Sequence, residues 1–234
     1  MITVITDLDG TLLHHGQLPP ESIEVLIQFQ KQGRLLLATG RSLESVEPFY
    51  RLLKMEELRT GGLIAVNGLE TFDFQDCEHC VAGSICSQDI PTILQTVQLF
   101  TRRVRIVRTE RYIQKVEMMV PVFSSLIVRY FRKKLPEYTV LQIGRHWVEI
   151  LPKGTDKLNG LQYFSEKYHF SPKDVYAFGD GENDVQMLRW AGHSYAPQNA
   201  LAVAKRAAKG FCAPCQQQGV SQIVNELIKK GQSL

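Results

Sequence analysis

Short apolar runs alternate with one-face amphipathic stretches along the first 70 residues. Ile2-Thr3-Val4-Ile5-Thr6 is rich in β-branched residues and predicts an extended segment. Arg34-Leu35-Leu36-Leu37-Ala38 and Leu63-Ile64-Ala65-Val66 are continuous apolar runs, as expected of strands buried on both faces. Between the first two, Pro19-Pro20-Glu21 opens a helix that carries Ile23, Leu26, Ile27 and Gln30 on one face and stops near Gly33. A second helical stretch spans about Ser42 to Leu58, with a break or kink expected at Pro48. The alternation implies βαβ units and a parallel sheet, in which ligands bind beyond the carboxyl ends of the strands.

The pattern changes between about Phe74 and Lys153. Gln88 to Thr101 reads as a helix, and Arg103–Arg108 and Tyr112–Glu117 as strands. Pro121 to Lys134 is a second helix, followed by strands at Tyr138–Ile143 and Trp147–Leu151 around a Gly144-Arg145 turn. The order helix-strand-strand, given twice, predicts a compact α+β module at 75–153 inserted into an α/β domain made of 1–74 and 154–234. The α/β pattern then resumes. Asp156 caps a helix carrying Lys157, Leu161, Phe164 and Tyr168, and Asp174 to Phe178 is a fourth strand. Val185 to Trp190, Asn199 to Lys209 and Val220 to Lys230 read as helices, with short strands at Ser194–Ala196 and Phe211–Ala213.

Composition narrows the class. The chain has 234 residues, 44% of them hydrophobic, and a net charge of +3, too small for a nucleic-acid binder. No apolar run nears the roughly 20 residues of a membrane span, and no signal-peptide pattern precedes the first strand, so the expected compartment is the cytoplasm. The module holds 12 Lys/Arg and 7 acids, a net +5 that leaves −2 for the remainder. That is either a solvated surface or a lid that draws anionic substrates towards an acidic floor. Five cysteines include the pairs Cys77/Cys80 and Cys212/Cys215. The pairs are too far apart for a zinc ribbon, and unrelated thiols are the simpler reading.

The chemistry gathers at strand ends. The first strand runs into Asp7-Leu8-Asp9-Gly10-Thr11, the second into Thr39-Gly40-Arg41, the third into Asn67-Gly68, and the fourth into Gly179-Asp180-Gly181-Glu182-Asn183-Asp184. Two acids at the end of a buried strand are costly unless a cation binds there. A calcium loop does not fit, since a glutamate is missing at its last position in either register. Asp7, Asp9, Asp180 and Asp184 supply hard oxygens suited to Mg²⁺ and a substrate phosphate. Thr39 and neighbouring N–H groups can hold phosphate oxygens, and Lys157 adds a point charge. No nucleotide phosphate loop is present.

In order and spacing, these four motifs resemble those of the haloacid dehalogenase-like phosphatase superfamily. The inserted module resembles the α+β cap of subfamily IIB, which includes Cof-type sugar phosphatases, sucrose-phosphate phosphatases and mannosyl-3-phosphoglycerate phosphatases. The resemblance implies a Rossmann-like parallel-sheet core with an α+β cap. It implies Asp7 as nucleophile, Asp9 as acid and base, and Thr39 and Lys157 as stabilisers of the transferring phosphoryl group. It places Mg²⁺ on Asp7, the Asp9 backbone carbonyl and Asp180, supported by Asn183 or Asp184. Gly40, Arg41 and Asn67 would lie near the substrate. One departure is Leu158 after Lys157 where the family often has glycine; Lys153-Gly154 offers a competing lysine, and the strand and turn before Lys157 favour the latter.

The expected activity is Mg²⁺-dependent hydrolysis of a small phosphorylated metabolite, a sugar or sugar-acid phosphate, by a monomer or weak homodimer. The rivals are a sugar-phosphate mutase or phosphotransferase and a non-catalytic phospho-metabolite sensor. One or more of Arg103, Arg105, Arg108 and Arg145 is expected to contact the far end of the substrate. His14 and His15 are expected to be ordinary loop residues.

Overall fold

The computed structural model describes residues 1–120, 124–143 and 146–231. The chain divides into two compact units, one made of Met1–Val81 and Asp156–Leu234, the other of Ala82–Thr155.

The first unit begins with β1 (Thr3–Asp7), α1 (Pro20–Gln30), β2 (Arg34–Ala38), α2 (Leu43–Leu52), α3 (Met55–Leu58), β3 (Gly62–Ala65), β4 (Glu70–Asp73) and β5 (Glu78–Val81). The second unit holds α4 (Ile90–Val97), β6 (Val104–Arg108), β7 (Ile113–Met119), α5 (Ser124–Lys134), β8 (Tyr138–Ile143) and β9 (Trp147–Pro152). The first unit resumes with α6 (Lys157–Tyr168), β10 (Val175–Phe178), α7 (Val185–Trp190), β11 (His193–Pro197), α8 (Ala202–Ala207), β12 (Gly210–Cys212) and α9 (Gly219–Gly231).

Eight strands form the sheet of the first unit, in the order β12-β11-β10-β1-β2-β3-β4-β5. The run from β12 to β3 is parallel. Strand order reverses at β1, whose neighbours β2 and β10 lie far apart in sequence, so the crevice at the carboxyl ends of β1 and β10 is a topological switch point. Every residue of β1, β2 and β3 is buried, including the polar Thr3, Thr6, Asp7 and Arg34 beside the apolar runs. Alternate side chains feed two cores. Val4, Leu35 and Leu37 pack with Leu26, Phe29, Val46 and Val224 from α1, α2 and α9. Ile5, Leu36 and Ile64 pack with Leu161, Phe164, Met187 and Ala204 from α6, α7 and α8. The result is a helix-sheet-helix sandwich with apolar burial on both faces of the central strands.

Three local differences from the sequence reading have physical causes. The sheet is mixed, because β4 and β5 pair antiparallel on β3 and on each other. Glu70-Thr71-Phe72-Asp73 alternates too weakly to announce a strand, although the partner β3 fixes it. The helix from Ser42 does not break at Pro48, which lies inside α2; the chain turns instead at Lys54, whose φ is +54°. The stretches expected at Gln88–Thr101 and Asn199–Lys209 contract to α4 and α8, each shorter at both ends.

In the second unit β6, β7, β9 and β8 form an antiparallel sheet in that order. α4 and α5 supply Ile93, Val97, Ile127 and Phe131 to a core with Val116, Met118, Val140 and Ile150. Each helix precedes a pair of strands along the chain. Pro121 and the Gly144-Arg145 turn lie outside the described residues. Among the described residues no helix is long and apolar enough to cross a membrane.

Candidate active site

Asp7 ends β1 at the switch point, and its carboxylate is buried. Lys157 opens α6, where Asp156 caps the helix by accepting the Leu158 N–H at 2.7 Å. That cap sets the first turn, and the Lys157 side chain, wholly buried, donates to Asp7 Oδ1 and to Asp184 Oδ1, each at 2.6 Å. Asp184 turns its other oxygen to the N–H groups of Asp180 at 2.9 Å and Gly181 at 2.8 Å. It thereby shapes the loop after β10 and holds the lysine at once. Thr11, to which the sequence assigns no role, donates to Asp180 Oδ1 at 3.1 Å and joins the first loop to the last. Gly10 makes this possible: its φ is +88°, and a Cβ there would lie 2.5 Å from Asp180 Oδ2.

The loop after β2 completes the group. The Thr39 N–H donates to the Ile64 carbonyl, and the Thr39 hydroxyl accepts the Arg41 N–H at 3.2 Å. Arg41 forks onto Asp9, with Nε to Oδ2 at 2.7 Å and Nη2 to Oδ1 at 2.5 Å. Asp9 thus pairs with Arg41, and its side chain is 53% exposed. Asn67 is fully buried and accepts the Asn183 amide at 2.8 Å, and Gly40 lies against the Asn67 amide. Asp7, Thr39, Lys157, Asp180 and Asp184 therefore converge, joined by Asp9, Gly40, Arg41, Asn67 and Asn183 through these contacts. Lys153 lies in the second unit, where it donates to the Pro136 carbonyl.

One oxygen from each of Asp7, Asp180 and Asp184 lies within 4.8 Å of the others. Burial raises the Asp7 carboxyl well above the usual carboxylate range, the charges of Asp184 and Asp180 push the same way, and Lys157 opposes them. Burial and the Asp184 charge push Asp180 up to about 6. For Lys157 burial acts downward, but the carboxylates of Asp184 and Asp7 outweigh it and hold the ammonium above its ordinary value. Three carboxylates against one ammonium leave a formal deficit of positive charge in a space nearly closed to water. A hard divalent cation offsets that deficit, and carboxylate oxygens are the ligands such a cation takes. The residues present fit it.

The remaining candidates are dispersed. In the second unit Arg105 pairs with Glu117 through Nε at 2.6 Å, Arg103 reaches Met119 Sδ, and Arg108 borders a groove lined by Ile90, Leu94 and Ile106. Arg145 lies outside the described residues. The His14 and His15 rings pack on each other in the loop after β1. Among the described residues no cysteine joins a metal-holding group, and Cys212 and Cys215 are buried free thiols.

Comparison with known proteins gives this arrangement a lineage. A family model for haloacid dehalogenase-like hydrolases matches residues 4–119 and 123–224. A phosphoglycolate phosphatase of Methanopyrus kandleri is 28% identical over 237 residues, covering 97% of both chains. A haloacid dehalogenase-like hydrolase of Bacteroides thetaiotaomicron superposes with a TM-score of 0.79 at 22% identity, covering 97% of this chain and 99% of that one. The subclass IIB sugar phosphatase BT4131 superposes with a TM-score of 0.77 at 19% identity, covering 97% and 99%. At such identities the two structures speak for a shared fold, and the family match spans nearly the whole chain. This protein belongs to the haloacid dehalogenase-like hydrolases.

Proposed function

We propose that the protein is a Mg²⁺-dependent phosphatase that hydrolyses a small sugar or sugar-acid phosphate through an aspartyl-phosphate. The observation that carries this reading is the Asp7–Lys157–Asp184 chain at the switch point, with Asp180 beside it. A nucleophilic carboxylate needs a neighbour that neutralises phosphoryl charge without leaving the site, and a buried lysine held by two acids supplies one. The activities named for the relatives, on phosphoglycolate and on sugar phosphates, support a small phosphomonoester.

Asp7 attacks phosphorus in line and takes the phosphoryl group. Asp9 gives a proton to the leaving alkoxide and then takes one from the water that attacks the acyl phosphate. Arg41 occupies both Asp9 oxygens in this structure, and it must release at least one of them before Asp9 carries the proton that it gives. Thr39 and Lys157 hold phosphoryl oxygens as charge moves onto them, and Gly40 and Arg41 lie on the substrate side with Asn67 buried directly behind Gly40. Asp7, the Asp9 carbonyl and Asp180 would hold Mg²⁺, with Asn183 and Asp184 in support; the ion supplies charge neutralisation at the phosphoryl group.

The test is release of inorganic phosphate from a panel of sugar and sugar-acid phosphates with and without Mg²⁺. Metal-dependent release supports the reading. Isomerised product without release would replace hydrolysis by a mutase, and binding without turnover would replace it by a sensor.

A further inference from the structure

The turn after β3 is strained and touches the loops after β2 and β10 and the start of α6. Val66 and Asn67 have φ of +47° and +56°, and Gly68 has +95°. Left-handed backbone is uncommon outside glycine and is an outlier for a β-branched residue such as Val66. Such strain persists only where the surroundings over-determine the backbone.

Three sets of contacts do so. The Val66 N–H donates to the Arg41 carbonyl and the Asn67 N–H to the Thr39 carbonyl, both at 2.9 Å, so the turn grips the loop after β2. The Asn67 side-chain oxygen accepts Asn183 Nδ2 at 2.8 Å, so it grips the loop after β10. Gly68 lies on the start of α6, where a Cβ would sit 2.0 Å from the Asp156 carbonyl oxygen and 3.1 Å from the Lys157 nitrogen. One three-residue turn thus fixes Thr39, Lys157 and the Asp180–Asp184 loop relative to one another.

We propose that Asn67 is a positioning residue that couples the cation-holding loop to the phosphate-holding loop through the hydrogen bond its side-chain oxygen accepts from Asn183. The coupling rests on the phosphatase reading for its purpose, though its geometry does not. Asn67 is wholly buried and its oxygen is directed at Asn183, so it sets where Asn183, and with it Asp180, stands against Thr39 and Gly40. Catalysis by charge stabilisation depends on that register, because donors and cation must meet the same phosphoryl oxygens. Asparagine also tolerates left-handed backbone, which is a simpler reason for its presence. Glycine tolerates it equally, so Asn67→Gly removes the amide and keeps the turn.

The experiment compares wild type, Asn67→Gly, Asn183→Ala and the double variant. It reads kcat, KM, and the Mg²⁺ concentration that gives half of the Mg²⁺-induced rise in Tm, which needs no turnover. Asn67→Gly is expected to lower kcat about 10-fold or more, to leave KM within about threefold, and to raise the half-saturating Mg²⁺ about 10-fold. The double variant should be no worse than the more affected single one, because both remove the same bond. Should Asn67→Gly fail to accumulate folded, Asn183→Asp takes its place: it keeps an oxygen on the cation side and loses the Nδ2 donor to Asn67, and kcat must fall about 10-fold. Wild-type kcat and Mg²⁺ response in the folded single variants, or fully additive losses in the double, overturn the coupling. A wild type that hydrolyses no phosphomonoester overturns the phosphatase reading instead, and the Mg²⁺ response of Tm still decides the coupling.

Discussion

Two lysines of α6 are each held by carboxylates, and they stand at opposite ends of the helix. Lys157, at its start, is wholly buried between Asp7 and Asp184. Lys167, near its end, lies among Asp73, Asp76 and Glu78 at 2.6–2.7 Å with 21% of its side chain exposed. By the number of carboxylates that touch the ammonium, three against two, the second would be the better cation site. Environment reverses the judgement. Around Lys167, Asp76 and Glu78 are about half exposed, so water compensates their charge, and the Tyr163 and Tyr168 hydroxyls donate to Glu78 and Asp73. The cluster ties the β4–β5 hairpin to α6. Around Lys157 water is nearly excluded, and the acids end parallel strands at a switch point. Charge that solvent cannot offset is charge that a ligand must.

The largest expected effect breaks the Lys157 side of this pair. Asp7→Asn should lower turnover by more than about 10³-fold, measured as phosphate release, because the amide cannot take the phosphoryl group. Lys157→Ala should abolish turnover and also destabilise the fold by about 3–5 kcal/mol in denaturant titration, since it leaves two buried carboxylates without their cation. Lys153→Ala, by contrast, should retain turnover; the reverse pattern would transfer the phosphate-binding role to Lys153.

Lys167→Ala sharpens the contrast. It should leave kcat within about threefold and cost about 1 kcal/mol, read as a fall in Tm of about 2–4 °C. A loss of activity as large as that of Lys157→Ala would erase the distinction between the two clusters.

The smallest effect concerns the thiols. Burial pushes Cys212 up to about 12 and raises Cys215 as well. A thiol-specific reagent at neutral pH should label exposed Cys77 and Cys86 quickly and Cys212 and Cys215 only on unfolding, with no change on adding a zinc chelator. The sign of the accompanying pH effect is fixed. An unfolded cysteine ionises near ~8.5, below the folded value, so this group withdraws stability as pH rises from there towards 12. Cys212→Ala should flatten that alkaline fall in Tm.

Much of the candidate site's placement is legible in the sequence, because its residues follow strands whose apolar runs are unmistakable. Asp7, Thr39, Asn67 and Asp180 each stand one to three residues beyond such a run, and a parallel sheet brings those ends to one edge. The β4–β5 hairpin is not legible, since its strands gain their identity from pairing on β3 and Cys77 turns between them at φ +61°. Nor is the division of labour among the acids. Asp9 and Asp184 have similar local sequence contexts, each beside glycine or asparagine in a loop. Only the fold reveals that Asp184 spends its oxygens on Lys157 and two N–H groups while Asp9 meets Arg41. The left-handed Val66–Asn67 pair is invisible for a related reason, as valine carries no signal for that conformation and long-range contacts impose it.

The most direct test of the central claim is mass spectrometry of acid-quenched Asp9→Asn protein after mixing with Mg²⁺ and a phosphomonoester that has a good leaving group. Asp9→Asn should slow breakdown of the intermediate, so the predicted result is one added phosphoryl group on the peptide containing Asp7, absent when Asp7→Asn is introduced as well. Turnover that survives Asp7→Asn at the wild-type rate, with no phosphoryl group on that peptide, would contradict it.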